Sequence, residues 1–150
     1  MTSDPTASVP DGVRVDVPVV LRHARVVFNL DHAPPRDDTV AGIVQLQRVL
    51  AHVAEHGDDG RLAAVFHGAA AHLTLSDAAY DRSRGTTGGN PQRAALEALA
   101  RGGVSIEVCA NTMRAHGWTN ADLLPEVRVT TAAVLRLVEL HGEGFAEIHP

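Results

Sequence analysis

Five short apolar runs, separated by segments with helical spacing, limit the folds that are open to this chain. The runs lie at residues 26–30, 62–66, 104–109, 127–130 and 145–148. The first two are almost continuously apolar, which is typical of strands buried on both faces of a parallel sheet, and the others alternate apolar with polar residues. Strands that alternate with helices need crossover connections, which place helices on both faces of the sheet. We therefore predict an α/β fold, a three-layer α/β/α domain with a mainly parallel five-stranded sheet.

The helices are predicted from apolar spacing and from the residues that begin and end them. The first helix is expected to begin at Thr39, a good N-cap, and to end before Gly57. Its apolar positions recur at intervals of three to four residues, and they are Ile43, Leu46, Leu50 and Val53. Residues 82–89 are rich in glycine and arginine and are predicted to be a loop, after which Asn90 and Pro91 are expected to begin the next helix.

Length, composition and charge exclude several classes of protein. A chain of 150 residues with 45% hydrophobic content suits one globular domain. The 13 basic and 18 acidic residues give a net charge of -5 without a basic run, so neither nucleic acid nor an anionic membrane is expected as a partner. Aromatic residues make up only 3% of the chain, too few for the stacking surface of a single-stranded nucleic acid binder. No apolar stretch approaches the roughly 20 residues of a membrane span. The N-terminus lacks the layout of a signal peptide, and a lone cysteine suits a reducing compartment, so we expect a cytoplasmic location.

The first part of the chain differs from the rest. Three of the eight prolines fall within residues 1–18, and no helical period is sustained there. We predict an N-terminal extension at residues 1–20 and the α/β domain at residues 21–150. The alternating valines of residues 13–17 suggest that part of the extension could add as an edge strand, either in this domain or in a neighbouring subunit.

The only cysteine, Cys109, is the last residue of the third predicted strand. Asn111 is expected to be the N-cap of a short helix over residues 112–116, which Gly117 ends. Free N–H groups at a helix N-terminus favour the thiolate, which is the reactive form of cysteine. Glu107 acts in the opposite sense, because strand alternation places its carboxylate on the same face as Cys109. Cys109 is nevertheless the candidate catalytic residue.

Polar side chains occur where the first three strands are predicted to end. Asn29 lies near the end of the first, His67 follows the second, and Asn111 and Thr112 follow the third. In open parallel sheets, ligands bind beyond the carboxyl ends of the strands. We therefore expect these four side chains to be binding residues. His67 would supply a proton or a hydrogen bond, and Asn111 and Thr112 would act as hydrogen-bond donors near the sulfur.

No motif for a metal or a cofactor is evident. His32, His72 and His116 could join His67 around an ion, but their spacing matches no zinc signature. The loop at residues 82–89 lacks the Gly-Lys-Ser/Thr of a phosphate-binding P-loop. We expect neither a metal nor a cofactor.

The order of these motifs resembles the DsrE/DsrF-like family. The resemblance covers roughly residues 25–149, and its most specific piece is Val-Cys-Ala-Asn-Thr-Met at residues 108–113, followed by Asp-Leu-Leu-Pro at residues 122–125. The chain looks closest to the stand-alone, largely uncharacterised branch. The resemblance implies a three-layer fold with a five-stranded sheet, assembly as a homotrimer or homohexamer, and a cysteine that carries sulfur as a persulfide between a donor and an acceptor protein. By resemblance, that cysteine would be Cys109.

Two hypotheses of different classes follow. In the first, Cys109 is a nucleophilic carrier of persulfide sulfur, of a sulfurtransferase type. In the second, the protein is a non-enzymatic, homo-oligomeric module that binds a small ligand at the carboxyl edge of the strands, and Cys109 only lines the site. A thiol-redox enzyme is less favoured because the chain has no second cysteine to resolve a disulfide.

Overall fold

The computed structural model describes residues 11–33, 40–57 and 59–150. Its five strands lie within one residue or two of the predicted apolar runs. They are β1 (Arg25–Leu30), β2 (Arg61–Phe66), β3 (Ser105–Cys109), β4 (Arg128–Thr130) and β5 (Ala146–Ile148). The α-helices of the described residues are α1 (Ala41–Glu55), α2 (Asp77–Arg84), α3 (Arg93–Arg101), α4 (Ala110–His116) and α5 (Ala133–Gly142). The described residues also form two 3₁₀ segments, Gly68–Thr74 and Asn120–Asp122.

The sheet is parallel throughout, in the order β4-β3-β2-β1-β5. This confirms the predicted α/β fold with its mainly parallel five-stranded sheet. The strands β4 and β5 are consecutive in the sequence but lie at opposite edges of the sheet. Helix α5, which joins them, must therefore cross one whole face, and this crossing brings its first residues to β3 and its last residues to β1 and β5.

The two faces of the sheet are covered unequally. On one face, Phe28, Phe66 and Ile106 belong to a large core cluster that includes residues of α1, α2, α3, α4 and the first 3₁₀ segment. On the other face, Val27, Val65 and Cys109 form a smaller cluster with residues from α5 and with Phe145. Residues of both faces are nearly inaccessible to solvent, since they come from strands that are covered by helices on both sides.

The ends of the predicted helices need three corrections. The N-cap of α1 is Val40, while the predicted cap, Thr39, lies outside the described residues. Residues 82–84 belong to the last turn of α2, so the loop begins at Gly85. Helix α3 begins after Gln92 rather than at Asn90 and Pro91.

Asn90 has a different role from the predicted helix cap. Its side chain is buried and donates hydrogen bonds of 2.8 Å and 2.7 Å to the backbone carbonyls of Leu73 and Leu75. Its Oδ1 accepts a hydrogen bond from the Gln92 N–H at 2.9 Å. The amide therefore ties the turn before α3 to the segment before α2, a long-range role that local capping patterns do not reveal.

The N-terminal part is exposed in the residues that the structure describes. All side chains of residues 11–20 are exposed, and residues 13–17 add no strand to the five-stranded sheet of this chain. An added strand in a neighbouring subunit stays a prediction, as do the domain limits of residues 1–20 and 21–150. None of the described helices has the length and apolar character that crossing a bilayer requires.

Candidate functional site

Cys109 lies at the point where β3 ends and two helices begin. It is itself the N-cap residue of α4, with an extended backbone at φ -70° and ψ 122°, so the predicted cap Asn111 is instead the second residue of that helix. The N–H of Ala133, the first residue of α5, donates to Cys109 Sγ at 3.4 Å. The backbone of Asn111 and the backbone and hydroxyl of Thr112, in the first turn of α4, lie beside the sulfur and lower the pKa of its thiol.

These donors determine the acidity of the thiol. Burial by itself raises the pKa of Cys109, because a charge is poorly solvated inside a protein, but the hydrogen bonds from Thr112, Ala133 and Asn111 together hold the pKa below its ordinary value. The residue is only 6% exposed. The arrangement thus stabilises a thiolate that has little contact with solvent.

Glu107, which the sequence suggests would oppose a thiolate, is neutralised. Its buried carboxylate accepts hydrogen bonds from Arg136 of α5 at 2.7 Å (Nε) and 3.1 Å (Nη2), and from the Ser105 hydroxyl at 2.9 Å. The ion pair raises the pKa of Arg136 above its ordinary value, so the guanidinium stays charged. The predicted repulsion is therefore offset by a cation that lies 29 residues away in the sequence.

The predicted binding residues fall into two groups. Asn29 and His67 contact each other, because the ring N–H of His67 (Nε2) donates to Asn29 Oδ1 at 2.7 Å. The Asn29 amide in turn donates to Glu147 of β5 at 3.3 Å, and His141 Nε2 of α5 donates to Glu147 at 2.9 Å. This chain of hydrogen bonds lies at the carboxyl ends of β1, β2 and β5.

The second group surrounds the sulfur. Thr112 lies beside Cys109 and lowers the pKa of its thiol. The exposed side chain of Asn111 instead accepts a hydrogen bond from Arg114 at 3.1 Å, so Asn111 affects the thiol through its backbone. Among the described residues, no hydrogen bond joins the His67 ring to Cys109, although Phe66 and Val108, which precede them, are paired in the sheet. Burial lowers the pKa of His67, so its ring is neutral at pH 7 and can donate or accept one hydrogen bond.

The histidines that the sequence singles out do not meet around one ion. His116 stacks on Trp118 at a centroid distance of 4.5 Å, and His72 packs against both rings. His32 instead contacts Asp31, as does His149. The sequence does not reveal this cluster of Asp31, His32 and His149, because 118 positions separate Asp31 from His149.

Comparison with known proteins gives the following relatives. A protein of unknown function from Methanobacterium thermoautotrophicum, MTH1491, shares the fold with a TM-score of 0.66 and 26% identity, over 85% of this chain and 99% of that one. The YchN protein of E. coli is similar with a TM-score of 0.61 and 17% identity, over 85% of this chain and 99% of its own. Among curated proteins, none matches the sequence. The sequence model of the DsrE/DsrF-like family matches residues 26–150, and the chain therefore belongs to the DsrE/DsrF-like family.

Proposed function

We propose that this protein is a sulfur carrier that holds a persulfide on Cys109. The observation that carries the proposal is the position of the sulfur at the N-terminal ends of both α4 and α5, where the Ala133 N–H donates to it and the first turn of α4 lowers the pKa of its thiol. Such donors stabilise a thiolate, and they would equally stabilise the persulfide anion that replaces it. Family membership supports the same chemistry, since known members relay sulfur.

The transfer is balanced without an external oxidant. The Cys109 thiolate attacks the outer sulfur of a persulfide on a donor protein; a new S–S bond forms on Cys109 and the S–S bond of the donor breaks. The donor leaves as a thiolate, which takes up a proton. An acceptor thiolate then attacks the outer sulfur on Cys109 and restores the starting thiolate, so that sulfane sulfur moves without net oxidation.

The test is the reactivity of the thiol in the native, tag-free protein. We expect alkylation of Cys109 to follow an apparent pKa below that of a free thiol, about 8.5. Exposure to polysulfide should add one sulfur atom to the mass, and Cys109→Ser should abolish the gain. Thr112→Val, which removes only the hydroxyl donor, should raise the apparent pKa of Cys109. The control Thr119→Val, at the cap of the 3₁₀ segment Asn120–Asp122, should leave that pKa unchanged.

The opposite result would favour the second candidate. The 6% exposure of Cys109 is compatible with a thiol that only lines a site. A cleft of about 100 Å³ at the end of β1, lined in part by Asn29 and Asp31, offers space for a small ligand at the carboxyl edge of the strands. A thiol that reacts only after unfolding, with no polysulfide adduct, would exclude the carrier and leave a non-enzymatic ligand-binding module. Asn29 would be a polar group of its cleft, and His67 would orient Asn29 through their hydrogen bond.

We also propose that the protein is a homo-oligomer, a trimer or a hexamer, located in the cytoplasm. The support for the assembly is the outward face of α5, on which Val134, Leu135 and Val138 are 67%, 59% and 66% exposed. The support for the location is the lone cysteine, which suits a reducing compartment. Adjacent exposed apolar side chains on one helix are typical of an interface. Light scattering after gel filtration tests this: Val138→Glu should dissociate the assembly, and Ala54→Glu, on the exposed side of α1, should not. A monomeric wild-type protein would refute it.

A further inference from the structure

Three potential metal ligands converge at the carboxyl edge of the sheet, away from the sulfur. Asp31 and His32 directly follow β1, and His149 directly follows β5. These strands are neighbours, with Phe28 paired to Ile148, so that residues just beyond their ends come together although they are far apart in the sequence. The convergence is thus a consequence of the sheet order.

The spacing of the ligand atoms is close to that in a metal coordination shell. His149 Nε2 lies 3.0 Å from Asp31 Oδ1, His32 Nδ1 contacts the same oxygen, and the three atoms lie within 4.8 Å of one another. Two ligands that each bind a tetrahedral zinc ion at about 2.0 Å are roughly 3.3 Å apart. Movements of the order of an ångström in two solvent-exposed rings would therefore admit an ion between the three atoms.

The ligands can reach the protonation state that a metal needs. A histidine binds metal through a ring nitrogen that carries no proton, with the proton on the other nitrogen. In the part of the chain that the structure describes, Nε2 of His32 and Nδ1 of His149 have no hydrogen-bond partner, so each ring is free to shift its proton there. Asp31 supplies a carboxylate that is only partly exposed.

The residue beside His149 is held against the domain. Pro150 packs on the first turn of α1, where a Cβ added to Gly42 would lie 3.0 Å from Pro150 Cγ. The cleft of about 100 Å³ at the end of β1 is lined by Asp31, His32 and Pro150. Two of the three ligands, Asp31 and His32, thus border a concave site in which water or a small anion could complete the coordination of an ion.

We propose that Asp31, His32 and His149 bind one divalent transition metal ion per chain, of the zinc class. Two imidazoles and one carboxylate are a donor set of borderline softness, which suits Zn²⁺ or Co²⁺ and not the hard ions Mg²⁺ and Ca²⁺. Three protein ligands leave an open position for water or substrate. The site departs from the expectation of no metal that the sequence alone supports, and it does not depend on Cys109.

The test is a titration of tag-free Cys109→Ser protein with Zn²⁺, followed by calorimetry, and with Co²⁺, followed by visible absorption. The Cys109→Ser background removes the thiol as a ligand and separates this proposal from the sulfur-carrier proposal. We expect one equivalent per chain. Asp31→Asn and His149→Ala should each weaken binding at least about tenfold, since losing even an outer-shell partner costs that much.

Matched controls address the other histidines. His56→Ala and His116→Ala remove exposed rings elsewhere and should leave the affinity unchanged, and circular dichroism checks that each variant is folded. In NMR spectra, Zn²⁺ should shift the ring protons of His32 and His149 before those of other histidines. Equal binding by wild type and His149→Ala, equal preference for Mg²⁺, or no binding of Zn²⁺ by the folded protein would each overturn the proposal.

Discussion

The buried ion pair between Glu107 and Arg136 allows a sharp test of how the environment of the sulfur is built. The side chain of Glu107 is 6% exposed. Among the described residues, Arg136→Leu would leave the Ser105 hydroxyl as the one hydrogen-bond partner of its carboxylate. Removing one partner of a buried pair costs about 3–5 kcal/mol, because the remaining charge is neither solvated nor compensated. At roughly 2–4 °C per kcal/mol for a chain of this size, the melting temperature should fall by about 10 °C.

The reverse substitution should cost less. In Glu107→Gln, the Arg136 side chain is 24% exposed and still contacts Glu139, so its charge remains solvated and partly paired. We expect a loss of about 1–2 kcal/mol. The double variant Glu107→Gln/Arg136→Leu should then be more stable than Arg136→Leu alone, because it no longer contains an unpaired buried charge.

Urea unfolding at pH 7 measures these free energies. The control is Arg48→Leu, at an exposed position on α1 away from Glu107, and it should stay within about 0.5 kcal/mol of wild type. The thiol gives a second measurement. Positions two apart on a strand are about 6.6 Å apart, and unit charges at that distance interact by roughly 2.5 kcal/mol at an effective dielectric constant near 20. Arg136→Leu should therefore raise the apparent pKa of Cys109 by about one to two units, and the double variant should restore it. Additive stability losses together with an unchanged thiol pKa would refute the reasoning.

Three further predictions concern the scaffold. Asn90→Ala leaves two buried carbonyls without their donors and should destabilise the fold by about 2–4 kcal/mol in urea unfolding, whereas Asn120→Ala, on an exposed turn, should have little effect. Gly42→Ala brings a Cβ to within 2.5 Å of Leu30 Cδ2, so a net loss of stability is expected despite the better helix propensity of alanine. A gain in stability would show that the buried Leu30 side chain can move aside at little cost. Burial lowers the pKa of His67 below 6.5, so its NMR titration midpoint should lie below that value. Its contribution to stability is then complete above pH 6.5 and should decline as the pH falls through the folded-state pKa. A midpoint at or above 6.5 would contradict this.

The sequence predicts the elements of this fold well because buried parallel strands are short, continuous and apolar. Each of the five runs corresponds to a strand, and Gly117 ends α4 as expected. Helix starts are predicted less accurately. A good capping residue such as Asn111 marks the region of a helix start, but the helix can begin one or two residues before it. Cys109 itself occupies the cap position of α4.

The surroundings of the candidate sites could not be predicted, because they depend on the order of the strands. The position of Cys109 at a strand end follows from its local pattern, but the Ala133 N–H that reaches its sulfur comes from a helix that crosses the sheet. The same holds for Arg136 beside Glu107 and for His149 beside Asp31. Local patterns indicate which residues follow a strand, and only the sheet order decides which of them become neighbours.

The two edge strands of the sheet, β4 and β5, are each only three residues long, while the central strands have five or six. A short edge presents few unpaired backbone groups, so it is a poor template for the growth of a continuous sheet between molecules. The short edges therefore disfavour open-ended strand pairing between copies of this chain. The association that we propose through the outer surface of α5 would therefore not extend the sheet from one molecule to the next.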